Sequence, residues 1–168
     1  MREAVLRIAE EIVLAARTAP KARGYDNLET RVLKDGEIDR LSEKMAEIGK
    51  RENNATFLRD SESILKATAV VLLGARKHYL GLRYCGFCGY KDCAACEKAG
   101  GICVYVPGDL GIAIGSAVSV AIDHRVDNRV MYSIGLAAVE AGLLGPEAKI
   151  AFGIPLSATA KNTFFDRK

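Results

Sequence analysis

All five cysteines of this 168-residue chain lie between Cys85 and Cys103, in the run Cys85-Gly-Phe-Cys88-Gly-Tyr-Lys-Asp-Cys93-Ala-Ala-Cys96 followed by Cys103. No disulfide framework can therefore tie distant parts of the chain together, so the fold has to rest on a hydrophobic core with one thiol-rich loop set into it. Thiolates this close are read more economically as soft ligands for iron–sulfur or zinc than as crosslinks. Residues 84–104 are a candidate metal-binding segment.

Length and composition narrow the remainder. At 49% hydrophobic the chain can bury one sizeable core, and 168 residues are too few for two full-sized domains, so residues 1–168 are expected to form one domain. The 24 basic and 21 acidic residues are interspersed, and the formal charge of +3 forms no basic block of the kind that tracks phosphates; no nucleic-acid partner is implied. The first residues, Met-Arg-Glu-Ala-Val-Leu-Arg, carry no apolar core of a signal sequence. The longest mostly apolar run, Leu110 to Ile122, contains two Gly and two Ser and falls short of the roughly 20 residues a membrane span needs. Free thiols outside a secreted context fit a reducing compartment, and the expectation is a cytoplasmic protein with no membrane partner.

Hydrophobic spacing supplies the elements. Val5, Ile8, Ile12 and Ala16 predict an amphipathic helix over 3–18, ended by Pro20 and Gly24. Asn27–Lys34 alternates weakly and reads as a strand before the turn Asp35-Gly36; Ile38, Leu41, Met45 and Ile48 then predict a surface helix from Glu37 to Gly49. Ser61–Lys66 reads as a short helix and 69–73 as a buried strand closed by Gly74. After the cysteines, Asp109 is expected to cap a helix over 110–122 on which Gly111 and Gly115 admit a close neighbour. Asp127 or Asn128 is expected to cap a further apolar helix through Leu144, and 149–154 reads as a last strand stopped by Pro155, before a polar tail from Ser157 that can cross to a partner subunit. Helices alternating with three strands place the chain in the α/β or α+β class, a small sheet flanked by helices.

Two cysteines separated by two residues can chelate one centre, and glycine after each relieves crowding where backbone N–H groups approach sulfur; Cys85-Gly86 and Cys88-Gly89 fit. Cys93 is the third ligand, and the fourth is Cys96 or Cys103, five thiols for four places. If Asp92 starts a helix, Cys93 and Cys96 share one face. Paired cysteines also hold structural zinc, which remains the alternative metal. Residue for residue, Cys85-Gly86-x-Cys88-Gly89-x-x-x-Cys93 with a later cysteine resembles the four-iron ferredoxin-like motif of anaerobic electron-transfer proteins, and that resemblance favours Cys103 as the fourth ligand of a 4Fe-4S cluster.

Outside the cysteines, Ala15-Ala-Arg-Thr-Ala-Pro20, Asp109-Leu-Gly-Ile-Ala113 and Gly153-Ile-Pro155 resemble pieces of the flavin-dependent nitroreductases. Together with the cysteine segment they look like an uncharacterised prokaryotic family described as ferredoxin-domain-containing and related to nitroreductases. The resemblance implies a nitroreductase-like fold, a homodimer and FMN. Lys21, Arg23 and Asn27, in the loop after the first helix, are the candidate FMN-binding residues, since Lys and Arg pair well with phosphate.

Asp123-His124-Arg125-Val-Asp127-Asn128-Arg129 is a dense polar cluster in which His124 is either a proton shuttle or part of a solvated helix junction, and His78 is a candidate hydrogen-bond partner for a cluster sulfur. No hydrolase triad, phosphate-loop or His-Glu-x-x-His pattern occurs. The functional expectation is an iron–sulfur redox protein, possessing flavin-dependent reductase chemistry if FMN binds, that exchanges electrons with a partner protein or small-molecule acceptor. The alternative is a binding or scaffold module pinned by structural zinc.

Overall fold

The computed structural model of the chain describes residues 1–165. Its first helix, α1 (Arg2–Thr18), buries Val5, Ala9, Ile12 and Ala16, one face at three- and four-residue spacing. It stops because Ala19 precedes Pro20 and is driven to an extended backbone, φ −55° and ψ 139°. A 3-10 turn, Ala22–Gly24, leads to strand β1 (Leu28–Leu33). Helix α2 (Gly36–Arg51) follows, and then α3 (Ala55–Ile64) and strand β2 (Ala69–Arg76). Beyond the cysteine turn come the short α4 (Cys93–Lys98), the long α5 (Tyr105–Asp123), β3 (Asp127–Asn128), α6 (Tyr132–Glu140) and β4 (Ala148–Ser157).

Among the described residues four strands lie in the order β1-β2-β4-β3, and each pairing is antiparallel. β2 is the spine: it faces Val32 through Val71 on one side and Ile154 through the same residue on the other. Both sheet faces are covered, which is why β2 is a continuous apolar run. Val71, Leu73 and Ala75 point to a core closed by α1 and α5, whereas Val70 and Leu72 point to a second core closed by α2, α3 and α6. The result is an α+β sandwich of helix, sheet and helix layers.

Several boundaries depart from the sequence reading. The short helix expected at 61–66 is α3, which starts at Ala55 because the Asn54 side chain accepts a hydrogen bond from the Thr56 N–H at 3.0 Å. β2 runs through Gly74 instead of ending there: a methyl group at that position would lie 2.7 Å from Leu144 Cδ1, so the glycine makes room for a core leucine. β4 likewise runs through Pro155. Met131 exchanges both backbone bonds with Gly153, and β3 rejoins β4 at Leu156 and Ser157, so the N–H that Pro155 lacks faces the gap in this pairing.

Helix α5 starts at Tyr105, five residues before the expected Leu110, and Asp109 lies inside it, not at its cap. Pro107 falls in the first turn, where the missing N–H would have had no helical partner anyway. With that turn included, α5 is long and apolar enough, by length and composition, to cross a membrane, though here it packs along α1 and the sheet. Asp127 and Asn128 form a fourth strand where a helix cap was expected, and α6 begins only at Tyr132 and ends at Glu140, short of Leu144. In the tail, Phe164 is buried in the second core of its own subunit and its carbonyl accepts a bond from Arg129; positions 166–168 lie outside the described residues.

Candidate functional site

The cysteine segment grows from the end of β2 and returns into α5. Gly86 and Gly89 have φ of +89° and +83°, a backbone conformation in which any side chain is strained, and the Gly89 N–H donates to the Gly86 carbonyl at 2.9 Å. That tight turn carries Cys85 and Cys88. Asp92 then caps α4, accepting the Ala95 N–H at 2.8 Å, which sets Cys93 and Cys96 three residues apart on one helical face.

Burial separates the thiols. Cys96 is 1% exposed and Cys103 5%, whereas Cys85, Cys88 and Cys93 are half-buried. Burial pushes the Cys96 thiol up, and so do a hydrogen bond with Cys88 and the neighbouring sulfurs of Cys88, Cys103 and Cys93. Cys88, Cys93 and Cys103 thus lie near enough to Cys96 to act on its thiol. Among the described residues, no three cysteine, histidine or carboxylate side chains converge closely enough to hold a single metal ion.

The return path of the segment is fastened by residues the sequence reading did not single out for this role. The Tyr79 hydroxyl donates to the Gly101 carbonyl at 2.8 Å, and Lys77 Nζ to the Gly100 carbonyl at 2.8 Å. Gly101 passes so close that a methyl group there would lie 2.7 Å from Tyr90 Cε2 and 2.9 Å from Cys96 Sγ. The one available signal was the Gly100-Gly101 pair itself; nothing local announces that Tyr79 reaches it across 22 positions. Lys77, His78, Tyr79, Glu97 and Glu147 line a groove of about 500 Å³ beside this return.

The other candidates are placed as follows. Lys21 Nζ donates to the carbonyls of Ala16, Arg17 and Ala19 at 2.7 to 3.1 Å, satisfying the end of α1. Arg23 donates to the Leu80 carbonyl at 3.0 Å, and Asn27 is buried, its backbone carbonyl accepting the Arg76 N–H. These three do not converge as free donors. Asp109, the expected cap, instead reaches out of α5 and accepts the Ala22 N–H at 3.0 Å, tying the loop after α1 to the helix that follows Cys103. His78 stacks on Tyr25, ring centroids 4.0 Å apart and 4° from parallel. His124 pairs with Glu11 at 2.9 Å, both side chains well exposed, as at a solvated helix junction.

A protein family described as "uncharacterized protein containing a ferredoxin domain" (DUF2148) matches residues 99–167. An uncharacterized protein of Archaeoglobus fulgidus is 37% identical over 161 residues, spanning 91% of this chain and 86% of its own. The chain belongs to this ferredoxin-domain family. The matched stretch of the ferredoxin-domain protein contains Cys103 and α5 but begins after Cys96, so the family's description does not by itself assign the ligands.

Solved structures agree on the architecture. A nitroreductase with bound FMN from Bacteroides fragilis superposes with a TM-score of 0.65 at 10% identity, covering 96% of this chain and 81% of its own. One from Desulfitobacterium hafniense, also with bound FMN, gives 0.62 at 16% identity (92% and 78%), and a BluB-like flavoprotein from Clostridium difficile 0.57 at 18% (92% and 84%). At these identities the likeness fixes the fold alone: the ferredoxin-domain protein has the nitroreductase-like fold that its sequence resembles.

Proposed function

We propose that this protein is an iron–sulfur redox protein whose cluster is held by four of the five thiols, Cys88, Cys93, Cys96 and Cys103. The observation that carries this reading is the confinement of all five thiols to one segment, in which Cys96 and Cys103 are buried and Cys88, Cys93 and Cys103 lie near enough to Cys96 to act on its thiol. Cys88, Cys93 and Cys103 belong to the motif-based set as well; Cys96 takes the fourth place from Cys85 because it is buried and within reach of those three thiols, whereas Cys85 is not among the groups that act on it. When bound, the cluster supplies one-electron redox chemistry. The chain contributes the burial of Cys96 and Cys103, and it keeps the segment's exit fixed through Tyr79 and Lys77.

Those last two bonds also bear on zinc. A loop already pinned at Gly100 and Gly101 by protein donors has less need of a metal as a staple. FMN fits the candidate residues poorly, because the Lys21 and Arg23 side chains donate within the subunit and Asn27 is buried. No flavin step is assigned. Free thiols suit a reducing compartment, the cytoplasm.

The reading includes a second copy of the chain. Helix α5 carries Asp109 as its single charge before Asp123, and that carboxylate is buried on Ala22; an apolar helix of this kind belongs inside an assembly, yet only 33% of its most apolar stretch is buried in the subunit. Gly111 and Gly115 meet nothing within 4 Å, so their small size serves a neighbour outside the subunit.

Anaerobic purification with metal analysis and electron paramagnetic resonance tests the central claim. The expected result is a brown protein with about four iron atoms per chain and absorption bleached by dithionite. A colourless protein carrying one zinc per chain would establish the structural-metal alternative, with the Tyr84–Cys103 loop pinned and no redox role.

A further inference from the structure

Two of the most exposed large apolar side chains in the molecule stand on the thiol-bearing turn. Tyr84 is 98% exposed and Phe87 77%, and between them lies Cys85. Neither belongs to either hydrophobic core. Each aromatic side chain leaves on the order of 150–250 Å² of mostly apolar surface in water that burial would remove. Folding gains nothing from them, so their place beside the cysteines points outward.

Cations flank this pair along the chain: Arg83 precedes Tyr84, Lys91 follows Phe87 by four positions, and Lys98 ends α4. Arg83, Lys91 and Lys98 are exposed, and among the described residues none of the three takes part in an ion pair. The neighbouring acids are fewer and partly turned away: Asp92 caps α4 and Glu97 lines the groove beside Tyr79. Exposed aromatics flanked by unpaired cations have the composition of a docking site, with tyrosine among the residues that most often dominate such contacts.

We infer that the Tyr84–Phe87 turn is the docking surface for an acidic electron-transfer protein. The choice of occupant rests on the redox reading above; its charge follows from the rim. A small area with two aromatic anchors suits the brief encounters of electron-transfer partners, and opposite charge steers them. A second copy of this chain is a poorer occupant, because a two-fold contact through this turn would bring Arg83 and Lys91 of one subunit towards the same cations of the other.

Isothermal titration with a small acidic ferredoxin tests the surface. Binding is expected at about 20 mM salt and is expected to weaken at least about tenfold by about 300 mM, as rim charges are screened. The double variants Tyr84→Ser/Phe87→Ser and Arg83→Glu/Lys91→Glu are each expected to weaken low-salt binding by about tenfold or more, with mass and iron content unchanged. No binding at low salt, or variants that bind as wild type, would overturn the inference. So would a change of oligomeric mass in the aromatic variant, which would give the patch to a second copy. Iron measured on the same samples keeps the two claims apart: an iron-free chain that binds retains the surface and loses the redox reading, while an iron-loaded chain that does not bind loses only the surface.

Discussion

Replacing Gly111 and Gly115 together by alanine separates two physical pictures of α5 by the sign of the effect. Within one subunit, a methyl group at either position meets nothing within 4 Å, and both residues lie in the helix interior. Glycine there costs about 0.8–1.0 kcal/mol relative to alanine, so the double variant of an isolated subunit would gain about 2 kcal/mol. For a chain of this size that raises Tm by roughly 4–8 °C. If the second copy packs against this face, the same two methyl groups fall between backbones in close contact, where overpacking costs about 1–3 kcal/mol per site and a two-fold contact counts each site twice. Light scattering then shows wild type at twice the chain mass of 18.1 kDa and the variant shifted towards the single chain, with no gain in Tm. A wild-type monomer, or a variant that stays dimeric and melts several degrees higher, refutes the reasoning.

Cys96→Ser is expected to abolish iron incorporation on anaerobic reconstitution, whereas Cys85→Ser retains it; iron and sulfide analysis distinguishes them, and the reverse pattern would return the fourth place to Cys85. Gly135→Ala would set a methyl group 1.8 Å from the Ala151 carbonyl oxygen, where ordinary contact begins near 3.4 Å, so α6 must lift off β4. The expected cost is about 3 kcal/mol or more, a fall in Tm of roughly 6–12 °C by circular dichroism. Glu140 is held down to about 2 from its ordinary 4.5 by hydrogen bonds from Arg51 and then Lys44. A depressed carboxylate stabilises the fold fully above its ordinary value and loses that contribution as pH falls towards about 2, so Glu140→Gln is expected to flatten the dependence of urea stability on pH between these limits.

What could be read from the sequence follows how local each signal is. α1 and α2 show an apolar stripe with helical spacing, and β2 shows the unbroken apolar run of a strand covered on both faces; each is decided by its own residues. The errors sit where a residue that usually punctuates structure is tolerated by a distant neighbour. Gly74 does not end β2 because Leu144 needs its space, and Pro155 does not end β4 because its missing donor faces a gap in the pairing. The thiol-bearing segment was visible because five cysteines are rare in so short a run, but their division into inner and outer sulfurs was not. That division depends on Asp92 starting α4 and on Gly101 passing over Cys96, a tertiary contact with no sequence period.

Helix α5 joins the parts of this reading mechanically. Its first turn continues directly from Cys103; one turn later Asp109 grips the loop after α1 through Ala22; the next turns present Gly111 and Gly115 outward. A displacement of α5 along its axis would therefore shift a buried thiol, a loop anchor and the proposed subunit contact together. β2 restrains the same thiol from the other side, since Tyr79 and Lys77, just past its end, hold Gly101 and Gly100. Cys103 is thus gripped between two rigid elements. Rigidly placed thiols are the ones that can impose a geometry on a cluster, and this restraint is a second reason, independent of burial, to assign Cys103 to the ligand set.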